Sequence, residues 1–358
     1  MEKFTMNDTT IAFIGLGLIG GSLAKGIKKA RPDIRIMAYM RTRSKLEQAK
    51  KDGIVDVILD GIDEQLKQCD LIFLCTPVEY NAQYLSKIRS YLKPGALITD
   101  VGSTKTDIHK EILRQGLTDC FVGGHPMAGS EKTGYENATD HLLENAYYIV
   151  TPPEGFNQNG CGYGNISPKY SENVKRIIAV AQTVGAIPLV LDYKEHDTVV
   201  AAISHLPHLV ASSLVNLVKD SDSPAETMKQ VAAGGFKDIT RIASSSPEMW
   251  EQICMTNSEP IADMLERYID SLQDILSEIK GHQGNAIYKL FEKSRDYRNT
   301  ITDRAKGSVE PSYAFSVDMA DEVGAISTIA VILAAKGISI KNIGINNNRE
   351  RGEGTLKI

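Results

Sequence analysis

The sequence is short of the residues that mark several protein classes. It has five cysteines in 358 residues, at Cys69, Cys75, Cys120, Cys161 and Cys254. The number is odd, the spacings are wide and no CxxC occurs, so neither a disulfide framework nor a zinc site is expected, and a reducing cytoplasm fits best. Basic residues are not in excess: 40 Lys and Arg against 45 Asp and Glu leave a net charge of -5. A general nucleic-acid binder needs a basic field to neutralise phosphates, so that class is excluded. No polybasic segment is there for an anionic membrane. The N-terminus holds Glu2, Lys3 and Asp8 rather than the positive region of a secretory signal. Residues Val199 to Val218 lack Asp, Glu, Lys and Arg and could span a bilayer. They also hold His205, Pro207, His208 and Asn216, which are costly facing lipid, so the segment reads as a helix buried in protein.

What is present points to an ordered, multi-domain chain. The residues are 42% hydrophobic and 24% charged. At roughly 150 residues per domain, the length suggests two to three domains. Strands are expected at Thr9–Gly15, Ile34–Tyr39, Asp70–Cys75 and Ala96–Val101, with helices at Ser22–Ala30, Ser44–Asp52 and Asn81–Leu92 between them. This alternation implies a parallel sheet covered on both faces. Phe121–Gly123, Tyr147–Thr151 and Ala186–Leu191 read as further strands, and residues 155–168 as a Gly- and Asn-rich surface loop. From Lys194 to about Lys306 helical patterns dominate. The tail returns to mixed structure: strand at Ser312–Asp318, helix at Gly324–Ala335, strands at Ile338–Asn346 and from Gly354. The expected domains are therefore 1–192, 193–308 and 309–358.

Gly15-Leu-Gly17-Leu18-Ile19-Gly20 follows the first strand and opens the first helix. In that context GxGxxG points to a dinucleotide site. Gly15 permits the tight turn, Gly17 admits the pyrophosphate, and Gly20 allows close helix–strand packing. The helix N-terminus supplies free N–H groups for phosphate. Thr76 and Pro77, at the end of the DLIFLC strand, are further cofactor-binding candidates. The acid expected at the end of the second strand is missing; Tyr39-Met40-Arg41-Thr42-Arg43 stands there instead. Arg41 could stack on adenine or grip a 2′-phosphate, which leaves NAD against NADP open.

Three segments place reactive residues where a sheet or helix would deliver them. Asp100-Val-Gly-Ser103-Thr-Lys105 and Gly123-Gly124-His125-Pro126 each follow a strand, where ligands of open α/β sheets bind. Ile203-Ser204-His205-Leu-Pro207-His208 lies in the charge-free helix, with two histidines three residues apart on one face. A histidine on an apolar helix is more often a core residue than a catalyst, so His205 alone carries little.

Together these segments resemble the prephenate dehydrogenase family. The resemblance runs through GLGLIGGSLA (15–24), TDVGSTK (99–105), GGHPMAGSEKTG (123–134), NAYYIVTP (145–152), EHD (195–197), ISHLPH (203–208) and AAGGFKDITRIASSSPEMW (232–250). It implies an α/β Rossmann-type N-terminal domain followed by an all-α helical dimerisation domain. It also implies oxidative decarboxylation of prephenate to 4-hydroxyphenylpyruvate and CO2, with NAD or NADP reduced, in a cytoplasmic homodimer of tyrosine biosynthesis. By position, His125 and Ser103 resemble the catalytic pair. Arg241 resembles a carboxylate-binding arginine, and Ser204, His208, Lys237 and Trp250 resemble substrate-pocket residues, the last reaching in from the partner subunit. Ser130, Glu131 and Asp238 resemble gate or ion-pair positions. No metal is needed, because loss of CO2 gives an aromatic ring and supplies the driving force.

Residues 312–358 resemble the first part of an ACT domain, a small α+β module that binds amino acids, through VDMADEVGAIS and AAKGISIKNI. That implies L-tyrosine feedback, with Met319–Ala325 and Asn342–Ile343 lining the effector site. The last helix and strand of such a module are absent from the sequence, so the tail is expected to be partial and feedback to be weak or lost. Two enzyme alternatives are arogenate dehydrogenase, which shares fold and motifs, and a β-hydroxyacid dehydrogenase, against which GGHPMAGSE and GGFKDITRIA argue. A non-catalytic dinucleotide or amino-acid sensor would lack Ser103 or His125; both are present.

Overall fold

The first strand, β1 (Thr10–Ile14), is buried on both sides: Ile11 and Phe13 enter one apolar cluster and Ala12 and Ile14 another. A strand without a polar face requires cover above and below the sheet. The computed structural model describes residues 9–129, 132–153, 168–301, 316–320, 324–338, 340, 344–348 and 353–357. Five parallel strands run in the order β3-β2-β1-β4-β5, with β2 at Arg35–Tyr39, β3 at Val57–Ile58, β4 at Leu71–Leu74 and β5 at Leu97–Asp100. Phe13 and Phe73 are register partners, and their rings stack 4.9 Å apart.

Helices α1 (Leu18–Ala30) and α2 (Arg43–Lys51) cover one face through Leu23, Ala24, Ile27, Leu46 and Ala49. Helices α3 (Asn81–Arg89) and α4 (Thr106–Gln115) cover the other through Leu85, Ile88, Ile108 and Ile112. A second sheet comprises β6 (Gly123–Pro126), β7 (Tyr147–Thr151) and β8 (Ile187–Val190), antiparallel between the first two and parallel between the last two. A parallel bridge between Ile98 and Phe121 joins the two sheets. Helix α5 (Pro168–Thr183) adds Val174, Ile177 and Ala181 to the core shared with α1.

The rest of this unit is helical among the described residues: α6 (Tyr193–Val200), a π-helical turn Ala201–His205, α7 (Leu206–Ser221), α8 (Thr227–Val231), α9 (Gly234–Thr240), α10 (Pro247–Thr256), α11 (Ser258–Lys280) and α12 (Gly284–Thr300). The chain divides into two units, Met1–Ser308 and Val309–Ile358. The second holds β9 (Ser316–Ala320), α13 (Ala325–Ala335), β10 (Gly344–Asn348) and β11 (Glu353–Lys357), in an antiparallel sheet of order β10-β11-β9.

Three expectations need correction. The strand expected at Phe121–Gly123 begins at Gly123 and runs on to Pro126, so His125 is inside β6 rather than beyond it. Phe121 makes only the isolated bridge, because Val122 donates to the Ile98 carbonyl before pairing with β7 starts. Helices α4 and α5 were not foreseen. The apolar segment 199–218 is helical but is not buried: Tyr193–Ser221 is long and apolar enough to cross a membrane, yet only 22% of its most apolar window is covered within the chain. The loop expected at 155–168 lies almost wholly outside the described residues, as do much of Met319–Ala325 and all of Asn342–Ile343.

Candidate active site

The glycine turn is built as its spacing requires. Gly15 sits at φ +96°, and a Cβ there would meet the Cys75 carbonyl oxygen at 2.5 Å. Its N–H donates to the Tyr39 carbonyl at 2.7 Å, which ties the turn to the end of β2. Gly17 caps α1 without any side-chain hydrogen bond, and a Cβ on it would meet nothing within 4 Å. Open space and uncapped N–H groups at one helix end suit an approaching diphosphate. Gly20 packs against the Gly15 carbonyl and Cys75, where a Cβ would be 2.8 Å and 3.0 Å away. Leu18 and Ile19 open α1 and are half-buried. Across the sheet edge, the Thr76 hydroxyl lies 3.4 Å from Asn81 Oδ1, and exposed Pro77 leads into a short 3₁₀ turn ending at Tyr80. The Arg41 guanidinium lies over the Tyr80 ring, 5.1 Å from its centroid.

A chain of hydrogen bonds starts where β6 ends. His125 Nδ1 is 2.8 Å from His196 Nε2, and His196 Nδ1 is 2.8 Å from Asp197 Oδ1. The Asp197 carboxylate also accepts from the Lys105 backbone N–H at 2.8 Å and the Thr106 N–H at 2.7 Å. These are the first N–H groups of α4, whose own N-cap residue, Lys105, supplies no side-chain cap. A carboxylate from α6 therefore caps a helix of the sheet domain. Below it, the Lys105 ammonium pairs with Asp100, both essentially without solvent. Asp100 also accepts from the Gly102 N–H at 2.9 Å and the Gly124 N–H at 3.2 Å, fastening β6 beside β5.

The protonation states follow from this wiring. Burial would raise the Asp197 pKa, but hydrogen bonds from His196 and Thr106 outweigh it and hold the group below the usual carboxylate value. A charged carboxylate only accepts, so His196 carries its proton on Nδ1 and offers Nε2 as an acceptor. His125 then donates from Nδ1, which leaves Nε2 as its acceptor atom. Burial first, then His196, Lys105 and His205, hold His125 well below the ordinary imidazole value, so it is neutral at pH 7. His196 is lowered too, by burial working against Asp197.

The helical domain closes the other side. Pro207 has no N–H to donate and clashes with a regular turn before it, and the chain widens into the π turn Ala201–His205 at that point. Asn257, buried between α10 and α11, donates to the Asp197 carbonyl at 2.8 Å and contacts His205 Nδ1 at 3.0 Å. Burial lowers the His205 pKa to about 4. His208 Nδ1 donates to the Ser204 carbonyl at 2.8 Å. Trp250 stacks on His208 at 3.8 Å and meets His205 edge-on at 5.9 Å, so both histidines of the charge-free helix share one aromatic neighbour. These contacts are made within one chain. The 3₁₀ turn Arg241–Ser244 packs on α7, and the Arg241 charge helps to lower the His208 pKa, after burial.

Of the expected residues, hydrogen bonds and ring contacts link His125 with Ser204, His208 and Trp250 through His196, Asp197, Asn257 and His205. Ser103 is half-buried in the loop between β5 and α4. Lys237 is exposed on α9, one turn before Arg241. Ser130 and Glu131 lie outside the described residues. His196, Asp197, Asn257, Asp100 and Lys105 carry much of the geometry without having been singled out for it. The EHD motif contained two of them, but nothing local shows that residue 196 meets residue 125.

A glycine-turn dinucleotide fold, closed by a helical domain over a neutral histidine anchored to aspartate, defines a two-domain dehydrogenase. Comparison with known proteins makes the class specific. Residues 23–160 match the family model of the prephenate dehydrogenase nucleotide-binding domain, and residues 192–293 that of its dimerization domain. A prephenate dehydrogenase of Bacillus subtilis (strain 168) is 38% identical over 353 residues, covering 98% of this chain and 91% of the relative. The solved prephenate dehydrogenase of A. aeolicus, in complex with hydroxyphenyl propionate and NAD+, superposes with a TM-score of 0.73 at 29% identity, over 83% of this chain and 100% of that one. Synechocystis arogenate dehydrogenase gives 0.69 at 28% identity, over 82% and 99%. The chain belongs to the prephenate dehydrogenase family of NAD-dependent oxidoreductases.

Proposed function

We propose that His125 is the hydrogen-bond acceptor for the substrate hydroxyl in this family's reaction, the oxidative decarboxylation of prephenate to 4-hydroxyphenylpyruvate and CO2. The observation that carries the reading is the Asp197–His196–His125 chain, which leaves His125 neutral with an acceptor at Nε2. The substrate ring carries a hydroxyl and a hydrogen on one carbon. When bound, NAD supplies the hydride acceptor. As that hydrogen leaves with its electron pair, positive charge develops on the carbon and the hydroxyl proton becomes acidic. His125 accepts the hydrogen bond more strongly at that moment than before, so it stabilises the transition state over the ground state. The electron pair of the C–CO2 bond enters the ring, CO2 departs, and the phenol keeps its hydroxyl proton.

Gly15, Gly17, Leu18, Ile19, Gly20, Arg41, Thr76 and Pro77 hold the cofactor in this reading. Ser103 helps to hold the substrate hydroxyl. Arg241 binds a carboxylate through its planar fork, with Lys237, Ser204, His208 and Trp250 forming the pocket, and Ser130 and Glu131 acting as gate residues. The domains run over 1–192, 193–308 and 309–358, the last an ACT-like module. The enzyme is a cytoplasmic homodimer, and its tail is the candidate receptor for L-tyrosine.

Steady-state rates on prephenate and on arogenate with NAD test the reaction; arogenate is included because an arogenate dehydrogenase is among the structural neighbours. His125→Asn is expected to lower kcat by about 10²–10⁴-fold with little change in KM, and Arg241→Gln to raise KM for prephenate. Wild-type kcat in His125→Asn would sink the assignment.

A further inference from the structure

The second strand ends without the acid that ordinarily receives the adenosine ribose, and two arginines follow it. The loop that follows the neighbouring strand supplies a carboxylate, Asp60. β2 and β3 are parallel with Ala38 opposite Ile58. The Leu59 N–H still donates to the Ala38 carbonyl at 2.8 Å, and Asp60 follows it, two residues past the end of β3. Asp60 hydrogen-bonds the Arg43 guanidinium, and Glu47 lies 3.5 Å from Arg43 Nε on the other side. Arg43 is the first residue of α2, whose opening turn has no acid of its own. Without Asp60, that cation and helix N-terminus would together suit a phosphate. With it, that cation is already paired with a carboxylate, and Arg41 lies over the Tyr80 ring.

We propose that Asp60, paired with Arg43 just past the end of β3, is the residue that makes this chain select NAD over NADP. The inference rests on the reading that the Gly15–Gly20 turn binds a dinucleotide. Asp60 acts in two ways: it offers an acceptor to a ribose hydroxyl, and it repels a 2′-phosphate while neutralising the arginine that would bind it. Asp60 and Arg43 are both exposed, and an exposed pair adds little to folding stability, so substitution probes selectivity rather than folding. Repulsion at an exposed site is screened by salt, so discrimination against NADP should weaken as ionic strength rises.

Fluorescence titrations of NADH and NADPH against the full chain read this directly. The wild type should bind NADH more tightly. Asp60→Ala and Asp60→Asn should each shift the NADPH-to-NADH affinity ratio toward NADPH by about tenfold, a change of ~1.4 kcal/mol. Arg43→Ala added to Asp60→Ala should remove that gain. A ratio that stays within about twofold of wild type in both Asp60 variants, or a wild type that prefers NADPH, overturns the proposal. Turnover of prephenate is scored separately. If coenzyme binding shifts as stated but prephenate is not oxidised, the proposed reaction fails and the selectivity inference stands.

Discussion

At the residue scale the decisive group is Asp197, which touches neither of the proposed reactants. Its carboxylate fixes the proton of His196, and His196 fixes that of His125. Asp197→Asn keeps the shape but allows the amide to donate where the carboxylate accepted. His196 would then turn its protonated nitrogen toward His125, and His125 would lose its acceptor at Nε2. We expect kcat to fall by about 10²–10⁴-fold while KM stays near wild type. The pH profile gives a second reading. His125 titrates well below the ordinary imidazole value because burial disfavours its charged form. Protonation destroys the acceptor, so kcat/KM should stay flat as pH falls through about 6.5 and decline only in more acidic solution. A wild-type profile already falling by half near pH 6.5 would contradict the neutral, buried assignment.

The legibility of such residues divides by sequence distance. Gly15, Gly17 and Gly20 are readable because a turn and a helix start are local demands, and His125 because glycines and a proline flank it. His196 and Asp197 act on partners 71 and 91–92 residues away, a pairing that spacing does not encode. The same holds for Asp60, whose meaning depends on the strand beside it.

Among elements, β6 carries the strongest constraint. Gly124 has no room for a side chain: a Cβ would sit 2.7 Å from the Asp100 carbonyl and 2.8 Å from the Tyr148 hydroxyl. Gly124→Ala should therefore push β6 from β5 and displace His125. The expected cost is about 1–3 kcal/mol in urea unfolding, with a fall in kcat larger than any change in coenzyme affinity. Unchanged stability and rate would mean that the neighbouring strand yields freely. Helix α4 escaped the sequence reading for a comparable reason. Its buried stripe mixes Ile108 and Ile112 with His109 and Gln115, so polar residues interrupt the apolar period. Helix α5 has a regular stripe, Tyr170, Val174, Ile177 and Ala181, and was passed over between two strands.

For the whole molecule, the helical domain is the part left uncovered. Leu272, Leu276 and Ile279 on α11 and Phe291 on α12 are exposed in the single chain, Phe291 by 68%. Together with the bare face of Tyr193–Ser221, they make an apolar surface that a lone soluble chain rarely shows. The match to a dimerization domain over residues 192–293 accounts for it. The expectation that segment 199–218 is buried therefore fails for one chain, and a second copy is the proposed cover. In the proposed dimer, Leu276→Glu combined with Phe291→Glu should shift the chain to monomer in light scattering, since each would bury an unpaired charge. A variant that remains dimeric would move the interface elsewhere.

The cap that Asp197 places on α4 has a mechanical consequence. Many two-domain enzymes admit their ligands by swinging the domains apart along the cleft. Here such a swing would pull the carboxylate off the Lys105 and Thr106 N–H groups and leave the first turn of α4 without its cap. The seam between the domains is bolted where a hinged jaw would have to open. A movement that keeps this cap intact has to bend the chain elsewhere, so the α4–α6 contact is expected to move as one piece.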